Sequence, residues 1–221
     1  MPVTPKAREP LSRERIIDTA LALVDAEGLE ALSMRRLGTE LGMDPMAVYY
    51  YMPNKAALLD AIVEAVMAEI DLSVDDPSEP AQERLVRAAM AYAAVLVRHS
   101  NALPVLLARG PATPAGLAPV ELMVAILRSG GLSVEHATAG MNIVAAAVRG
   151  YAAIIATSMA DPEHHLVEEN VALTSREEFP FLSEAASQPQ QDPQAQLEFG
   201  LRAIAIGLLG AEPKAAASEQ R

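Results

Sequence analysis

The chain has no cysteine, and only 4% of its 221 residues are aromatic. Without thiols there is no disulfide framework and no thiolate metal site. With so few rings, the core must be built from Leu, Ala, Val, Ile and Met, and 51% apolar residues are enough for a sizeable one. That palette favours helices over sheets. No apolar run approaches the roughly 18 uncharged residues of a membrane span. Met1 to Pro10 is polar, carries Lys6 and Arg8, and lacks an apolar signal core. A cytoplasmic protein without a membrane partner is the expectation. Gly-rich phosphate loops are absent. None of the four histidines, His99, His136, His164 and His165, sits in a recognisable catalytic spacing. No internal repeat and no convincing strand pattern is visible.

Charge is unevenly spread. The net value is −12, yet residues 1–56 hold seven Lys/Arg against eight Asp/Glu, so most of the excess acid follows them. The early cations cluster as Lys6, Arg8, Arg13, Arg15, then Arg35 and Arg36, then Lys55. An acidic chain does not coat nucleic acid indiscriminately, but a locally positive face can still draw in one duplex.

Helix punctuation is legible. Ser12 is a good N-cap before apolar residues at helical spacing (Ile16, Ile17, Ala20, Leu23, Val24), and Gly28 closes that helix. Ser33 caps a second helix ending at Gly42, and Asp44-Pro45 starts a short third reaching about Tyr51. Asn54 caps a fourth running to about Asp71. The acidic, proline-bearing stretch Ser73 to Pro80 reads as a connection. Further helical patterns cover about 80–100, 102–108, 115–130, 133–158 and 192–211. Segment 159–191 reads as a partly mobile loop with one short helix, and the tail from Ala211 as frayed. The expected organisation is a helix-turn-helix domain over 1–56, a connecting helix and linker over 57–79, and a helical body over 80–221.

Residues 33–55 carry most of the functional information. A second helix presented after a tight turn is a shape that enters a DNA major groove. Ser33 satisfies free amides where a helix end favours a phosphate. Arg35 and Arg36 lie in that first turn, within reach of base edge or backbone. Gly42 permits the turn. Pro45, Met46 and Ala47 begin the reading helix, and Met46 and Ala47 are slim enough to meet thymine methyls. Val48 faces the core. Tyr49, Tyr50 and Tyr51 offer hydroxyls to phosphates, and Lys55 adds a charge at the next helix start. One tyrosine could instead be packing. All three could not, because adjacent helical positions point around the axis.

The run Ser-Met-Arg-Arg-Leu-Gly-x-x-Leu-Gly-Met-x-x-Met-Ala-Val-Tyr-Tyr-Tyr-Met-x-Asn-Lys-x-x-Leu-Leu-Asp resembles the DNA-binding domain of TetR-type repressors. Arg98-His99 to Pro111, Gly131-Leu-Ser, and Glu198-Phe-Gly-Leu-Arg-Ala-Ile-Ala-Ile-Gly-Leu resemble the body of the tetracycline-repressor branch. The resemblance implies an all-α chain: an N-terminal three-helix helix-turn-helix domain, then a helical ligand-binding and dimerisation domain. It implies base contacts at Arg35, Pro45, Met46 and Ala47, and phosphate or mixed contacts at Ser33, Tyr49, Tyr50, Tyr51 and Lys55. Pro45 and Ala47 stand where tetracycline repressors carry polar base readers, so the operator should differ.

In the body, one helix holds Ala137, Ala139, Gly140, Ala145, Ala146, Ala147, Gly150, Ala152 and Ala153, and the last holds Gly200, Ala203, Ala205 and Gly207. Small residues let helices approach closely. The resemblance makes these two helices half of a four-helix homodimer interface, which agrees with the two-fold symmetry of paired half-sites. A pocket is expected near Met90, Tyr92, Leu106, Met123, Leu127 and Asn142, where methionines suit an adaptable apolar cavity. By resemblance, the family's amide-bearing drug contacts fall at Ala88 and Met123, its aromatic contact at Tyr92, and its metal-ligating histidine at Leu106. Most polar recognition is therefore missing. The expected effector is a mainly apolar molecule and not a magnesium–tetracycline chelate. No cofactor is implied. Arg149 is open between an ion pair, a contact across the dimer and a contact to ligand. Glu163-His164-His165 with Glu168-Glu169 has metal-compatible spacing but reads as a solvated loop.

The expectation is thus a ligand-responsive transcriptional regulator, by family habit a repressor. It would bind a palindromic double-stranded DNA operator as a homodimer. The alternatives are a helical interaction protein, which would not need the Ser33, Arg35, tyrosine and Lys55 set, and an enzyme working in the apolar pocket.

Overall fold

The computed structural model describes residues 10–160, 177–189 and 192–210. Among the described residues there are ten α-helices and no strand. They are α1 (Arg13–Glu27), α2 (Met34–Leu41), α3 (Pro45–Tyr51), α4 (Lys55–Ala68), α5 (Ala81–Arg98), α6 (Leu103–Ala108), α7 (Pro114–Ser129), α8 (Val134–Ala160), α9 (Pro180–Ala186) and α10 (Pro193–Leu209). Each expected start signal operates. The Ser12 side chain accepts from Arg15 N at 3.1 Å, Ser33 from Arg36 N at 3.1 Å, Asp44 from Met46 N at 2.8 Å, and Asn54 from Ala57 N at 2.9 Å. Each such cap stabilises its helix by about 1 kcal/mol. Gly28 and Gly42 close α1 and α2 at positive φ (83° and 65°), where a β-carbon would be strained.

The helices assemble into two compact units that do not follow chain order. The first comprises residues 1–69 with 101–117, and the second 70–100 with 118–221. The sequence placed the division near Ser73 to Pro80. In the structure that stretch lies within the second unit, which the chain enters after residue 69. Asp71 leaves the helical ladder, so α4 ends at Ala68 rather than Asp71, and the Asp71 carboxylate instead accepts from Ser73 N at 2.9 Å. The acidic connection is then fastened within the second unit. The guanidinium of Arg84 on α5 forks onto both oxygens of Asp75 at 2.7 and 2.9 Å, and its third nitrogen donates to Ser129 at 3.1 Å. That fork holds the Asp75 carboxyl below its ordinary range.

In the first unit α1 packs on α2 and α4, α2 on α3, and α4 on α6. Ile16, Leu37, Val48, Leu58 and Ile62 are fully enclosed. In the second unit α5, α8 and α10 pack on one another. The inward stripe of α5 (Leu85, Ala88, Ala89, Tyr92, Leu96) recurs at the i, i+3, i+4 spacing of a helix face. Arg202 of α10 reaches Glu83 of α5 at 2.7 Å and Glu198 of its own helix at 2.8 Å. A β-carbon on Gly140 of α8 would stand 3.2 Å from Leu208, so this glycine allows close approach of α8 and α10.

Over Val134–Ser158, α8 has a mean hydropathy of 1.5, long and apolar enough by composition to cross a membrane. Arg149 interrupts it, so it holds no uncharged run of that length. It packs on α5 and α10 along one side, and only 28% of that apolar stretch is buried, so its other side is left apolar and exposed. The expected short helix within 159–191 is α9. The Glu163 to Glu169 cluster and the tail from Ala211 lie outside the described residues.

Candidate nucleic-acid interface and ligand-binding body

The turn between α2 and α3 is three residues long (Gly42, Met43, Asp44). Gly42 adopts the left-handed conformation, and its N–H reaches back to Gly38 and Thr39. Gly38 is buried at the crossing. A β-carbon there would stand 3.1 Å from Met43 O and 3.2 Å from the Pro45 backbone. Those atoms belong to main chain and cannot swing away, so Gly38 sets how closely α3 lies against α2.

That crossing fixes which side of α3 is outside. Val48 is enclosed and anchors the helix. Met46 (72% exposed) and Tyr50 (85%) are four residues apart and share the outer face. Tyr49 and Tyr51 are exposed beside them, and Tyr50 and Tyr51 meet edge to face with centroids 5.1 Å apart. Pro45 and Ala47 are half-buried at the start of α3. Ser33, Arg35 and Lys55 are exposed. The Ser33 oxygen accepts the helix amide, which leaves its O–H free to donate outward. Arg35 forms no ion pair among the described residues, so its donor fork stays available. Arg36 is paired within the unit. Its Nη2 lies 2.6 Å from Glu27 and 3.5 Å from Glu40, and its Nε is enclosed without a partner. Its charge is committed to the first unit's own carboxylates.

Helix α4 carries a second set of polar contacts inside the first unit. Arg109 pairs with Asp60 of α4, while Asn101 Nδ2 donates to Asp25 O at the end of α1 at 2.8 Å. The Glu64 carboxylate accepts from Ala112 N at 2.5 Å, Thr113 N at 3.0 Å and the Thr113 hydroxyl. Burial pushes the Glu64 carboxyl up. The Thr113 hydroxyl and the two backbone amides outweigh it, leaving Glu64 below its ordinary range. A β-carbon on Gly116 would collide with this carboxylate, which explains a glycine in the first turn of α7.

The expected pocket residues divide between the units. Leu106 belongs to the first, and Ala88, Met90, Tyr92, Met123, Leu127 and Asn142 to the second. Ala88, Tyr92, Met123 and Leu127 are buried and Met90 half-buried, but Asn142 is exposed on α8 and does not join them. The Tyr92 hydroxyl accepts from Arg149 Nε at 2.9 Å. Separately, α8 and α10 form an apolar groove of about 390 Å³, lined by Ala146, Gly150, Ile154, Leu197, Gly200 and Ile204 among others. Around it Ile143, Phe199 and Ile206 stand exposed.

Two family models account for nearly the whole described chain. Residues 16–62 match the bacterial regulatory proteins of the tetR family, and residues 75–211 match the tetracyclin repressor-like C-terminal domain. The chain belongs to the TetR family. Among curated relatives, it is 32% identical to the transcriptional repressor DrrR1 of Streptomyces coeruleorubidus over 123 residues, which cover 56% of the chain but only 46% of that protein. It is 26% identical to the class E tetracycline repressor protein of Escherichia coli over 199 residues, covering 89% of the chain and 90% of the relative. Among solved structures, apo ActR of Streptomyces coelicolor superposes with a TM-score of 0.79 at 30% identity, covering 92% of this chain and 97% of that one. ActR in complex with actinorhodin gives 0.77 at 29%, covering 91% and 98%.

In this TetR-family chain, reading residue by residue singled out Gly42 and passed over Gly38. The repeated Leu-Gly at 37–38 and 41–42 is the signal that could have found it. Asp60 and Glu64 were also passed over. Their spacing of four on an apolar helix marks one polar stripe, but their partners at 109–113 lie too far along the chain to be inferred from it.

Proposed function

We propose that this TetR-family regulator binds a palindromic DNA operator as a homodimer and is released from it by a small, mainly apolar effector. The observation that carries the reading is the outer face of α3, where Met46, Tyr49, Tyr50 and Tyr51 stand exposed on a helix held by Gly38, Gly42 and Val48. Four such side chains adjoining on one short helix make a contiguous patch of the kind that marks an interaction surface, where single exposed apolar residues would not. In this reading Arg35 reads a base edge, Pro45, Met46 and Ala47 meet the groove floor, and Ser33, the three tyrosines and Lys55 hold phosphates. Arg36 supports Arg35 by tying α2 to α1 rather than by touching DNA.

The apolar groove on α8 and α10 supports a homodimer, since a second copy would cover both it and the rim of Ile143, Phe199 and Ile206. Two heads must then present their α3 helices about 34–36 Å apart, one DNA turn. The body takes the effector near Ala88, Met90, Tyr92, Met123 and Leu127. That ActR has been captured with actinorhodin supports a body of this fold holding a small molecule. Ala88, Met123 and Leu106 offer no amide or imidazole to a magnesium–tetracycline chelate, so magnesium-dependent tetracycline binding is not expected. In this reading effector binding shifts α4, which the Asp60–Arg109 and Glu64–Thr113 contacts tie to residues 109–113 of its own unit. The effector must bind the DNA-incompetent state better for release to follow. The protein would act in the cytoplasm, and catalysis has no part in this account.

Gel-shift against the intergenic DNA beside its own gene tests the reading. A discrete complex that survives excess unrelated DNA and weakens with Arg35→Ala supports it. Failure to retard any fragment of that region would count against it.

A further inference from the structure

Among the described residues the other arginines of the second unit, Arg98 included, have polar partners. Arg84 pairs with Asp75, Arg87 with Glu79, and Arg202 with Glu83 and Glu198, while Arg128 closes the end of α7 on the Leu132 carbonyl. Arg149 is the exception. It sits in the middle of α8, between enclosed Val148 and Ala152, and is itself half-buried. In a chain with a net charge of −12, its polar partner among the described residues is a phenol, Tyr92, and no carboxylate. A half-buried guanidinium whose Nε is spent on a neutral phenol keeps a positive charge that no anion among the described residues balances.

The geometry of the pair is specific. Nε is consumed by Tyr92 at 2.9 Å, which fixes the plane of the guanidinium. Nη1 and Nη2 have no partner among the described residues, yet they are not among the enclosed unsatisfied atoms, so they face accessible space. Two adjacent N–H groups held in one plane match the two oxygens of a carboxylate. Tyr92 is 4% exposed, so its ring is fixed in the core of α5 and cannot follow the arginine outward. The faces that meet here are short-chained: Ala88 and Ala89 on α5, Ala145 and Ala152 on α8.

We propose that Arg149, oriented by Tyr92, is the anion-recognising group of the effector site, and that the effector is an apolar molecule bearing a carboxylate. This rests on the reading of the second unit as the effector body and narrows it to a chemical class. The apolar skeleton supplies burial, and the carboxylate supplies the orientation that an all-aliphatic wall cannot.

Titration calorimetry with 2-naphthylacetic acid and its neutral isostere 2-naphthylacetamide tests this on the full-length protein near neutral pH. The acid should bind at least about tenfold tighter than the amide, the scale of one charge-assisted contact. In Arg149→Met the preference should vanish while amide binding persists, and in Tyr92→Phe it should shrink. The acid–amide comparison on the unaltered protein stands even if a variant does not fold. Equal affinity for the two probes, a preference that survives Arg149→Met, or no binding of either up to millimolar concentration would overturn the assignment. So would conversion of Arg149→Met to a monomer in sedimentation, because Arg149 would then be pairing with a second copy. Gel-shift of the unliganded protein is read in parallel. Retained DNA binding with indifference to the acid rejects the anion site alone, and lost DNA binding rejects the regulator reading.

Discussion

Arg35 and Arg36 are neighbours of the same type in the same helical turn, and their surroundings separate them. Arg35 is exposed and forms no ion pair among the described residues, whereas Arg36 is bracketed by Glu27 and Glu40. Arg35→Ala should therefore weaken operator binding by about 1–3 kcal/mol and relax preference at one base pair, with the thermal midpoint unchanged. Arg36→Ala should mainly lower thermal stability, by about 0–1 kcal/mol for a largely exposed pair. Paired gel-shift and melting curves check both, and the reverse pattern would reassign the two residues. Gly38 supplies a sharper contrast. A single methyl there presses on the Met43 and Pro45 backbone, so Gly38→Ala should destabilise the first unit by about 1–3 kcal/mol and lose DNA affinity out of proportion. Denaturant unfolding beside gel-shift measures the two together.

At the scale of elements, the caps and the tight turn were legible because each is written within four residues. Ser12, Ser33, Asp44-Pro45 and Asn54 state where helices start, and the structure starts them there. The face of a uniformly apolar helix is not written that way. Asn142 was placed towards the pocket, but α8 is apolar on nearly every side, so periodicity gave no direction, and the residue is exposed. The end of α4 was misjudged because Asp71 competes for backbone amides with the helix that precedes it. The contact between Glu64 and residues 112–113 makes a prediction in pH. Its carboxyl is lowered in the folded protein, so its ionised form contributes stability above the ordinary carboxylate range, and that contribution is lost as pH falls through the lowered value. Glu64→Gln should lower the melting temperature at about pH 7 and flatten its decline between about pH 5 and 3. An unchanged acid limb would mean that the carboxylate does not hold residues 112–113 in solution.

For the molecule as a whole, the fold class and the two-part design were readable, but the assignment of chain to units was not. Residues 101–117 join the first unit because of Asp60, Glu64, Arg109 and Thr113, contacts made across nearly 50 residues of sequence. Ion-pair partners at that distance carry no local signal, unlike the i,i+4 pair of Arg36 with Glu40, which the helical spacing alone makes possible. Assembly is argued from the apolar surface of α8 and α10. Ile154→Asp with Phe199→Asp should yield a monomer by sedimentation and, because half-site binding alone is weak, lower DNA affinity by about two orders of magnitude or more. The central claim, that twinned α3 helices read one operator, is tested most directly by DNase I footprinting of the region beside the gene. The account predicts a single protected tract with two-fold related half-sites about one helical turn apart, abolished together by the double aspartate variant. A footprint without symmetry, or one left intact by that variant, would contradict it.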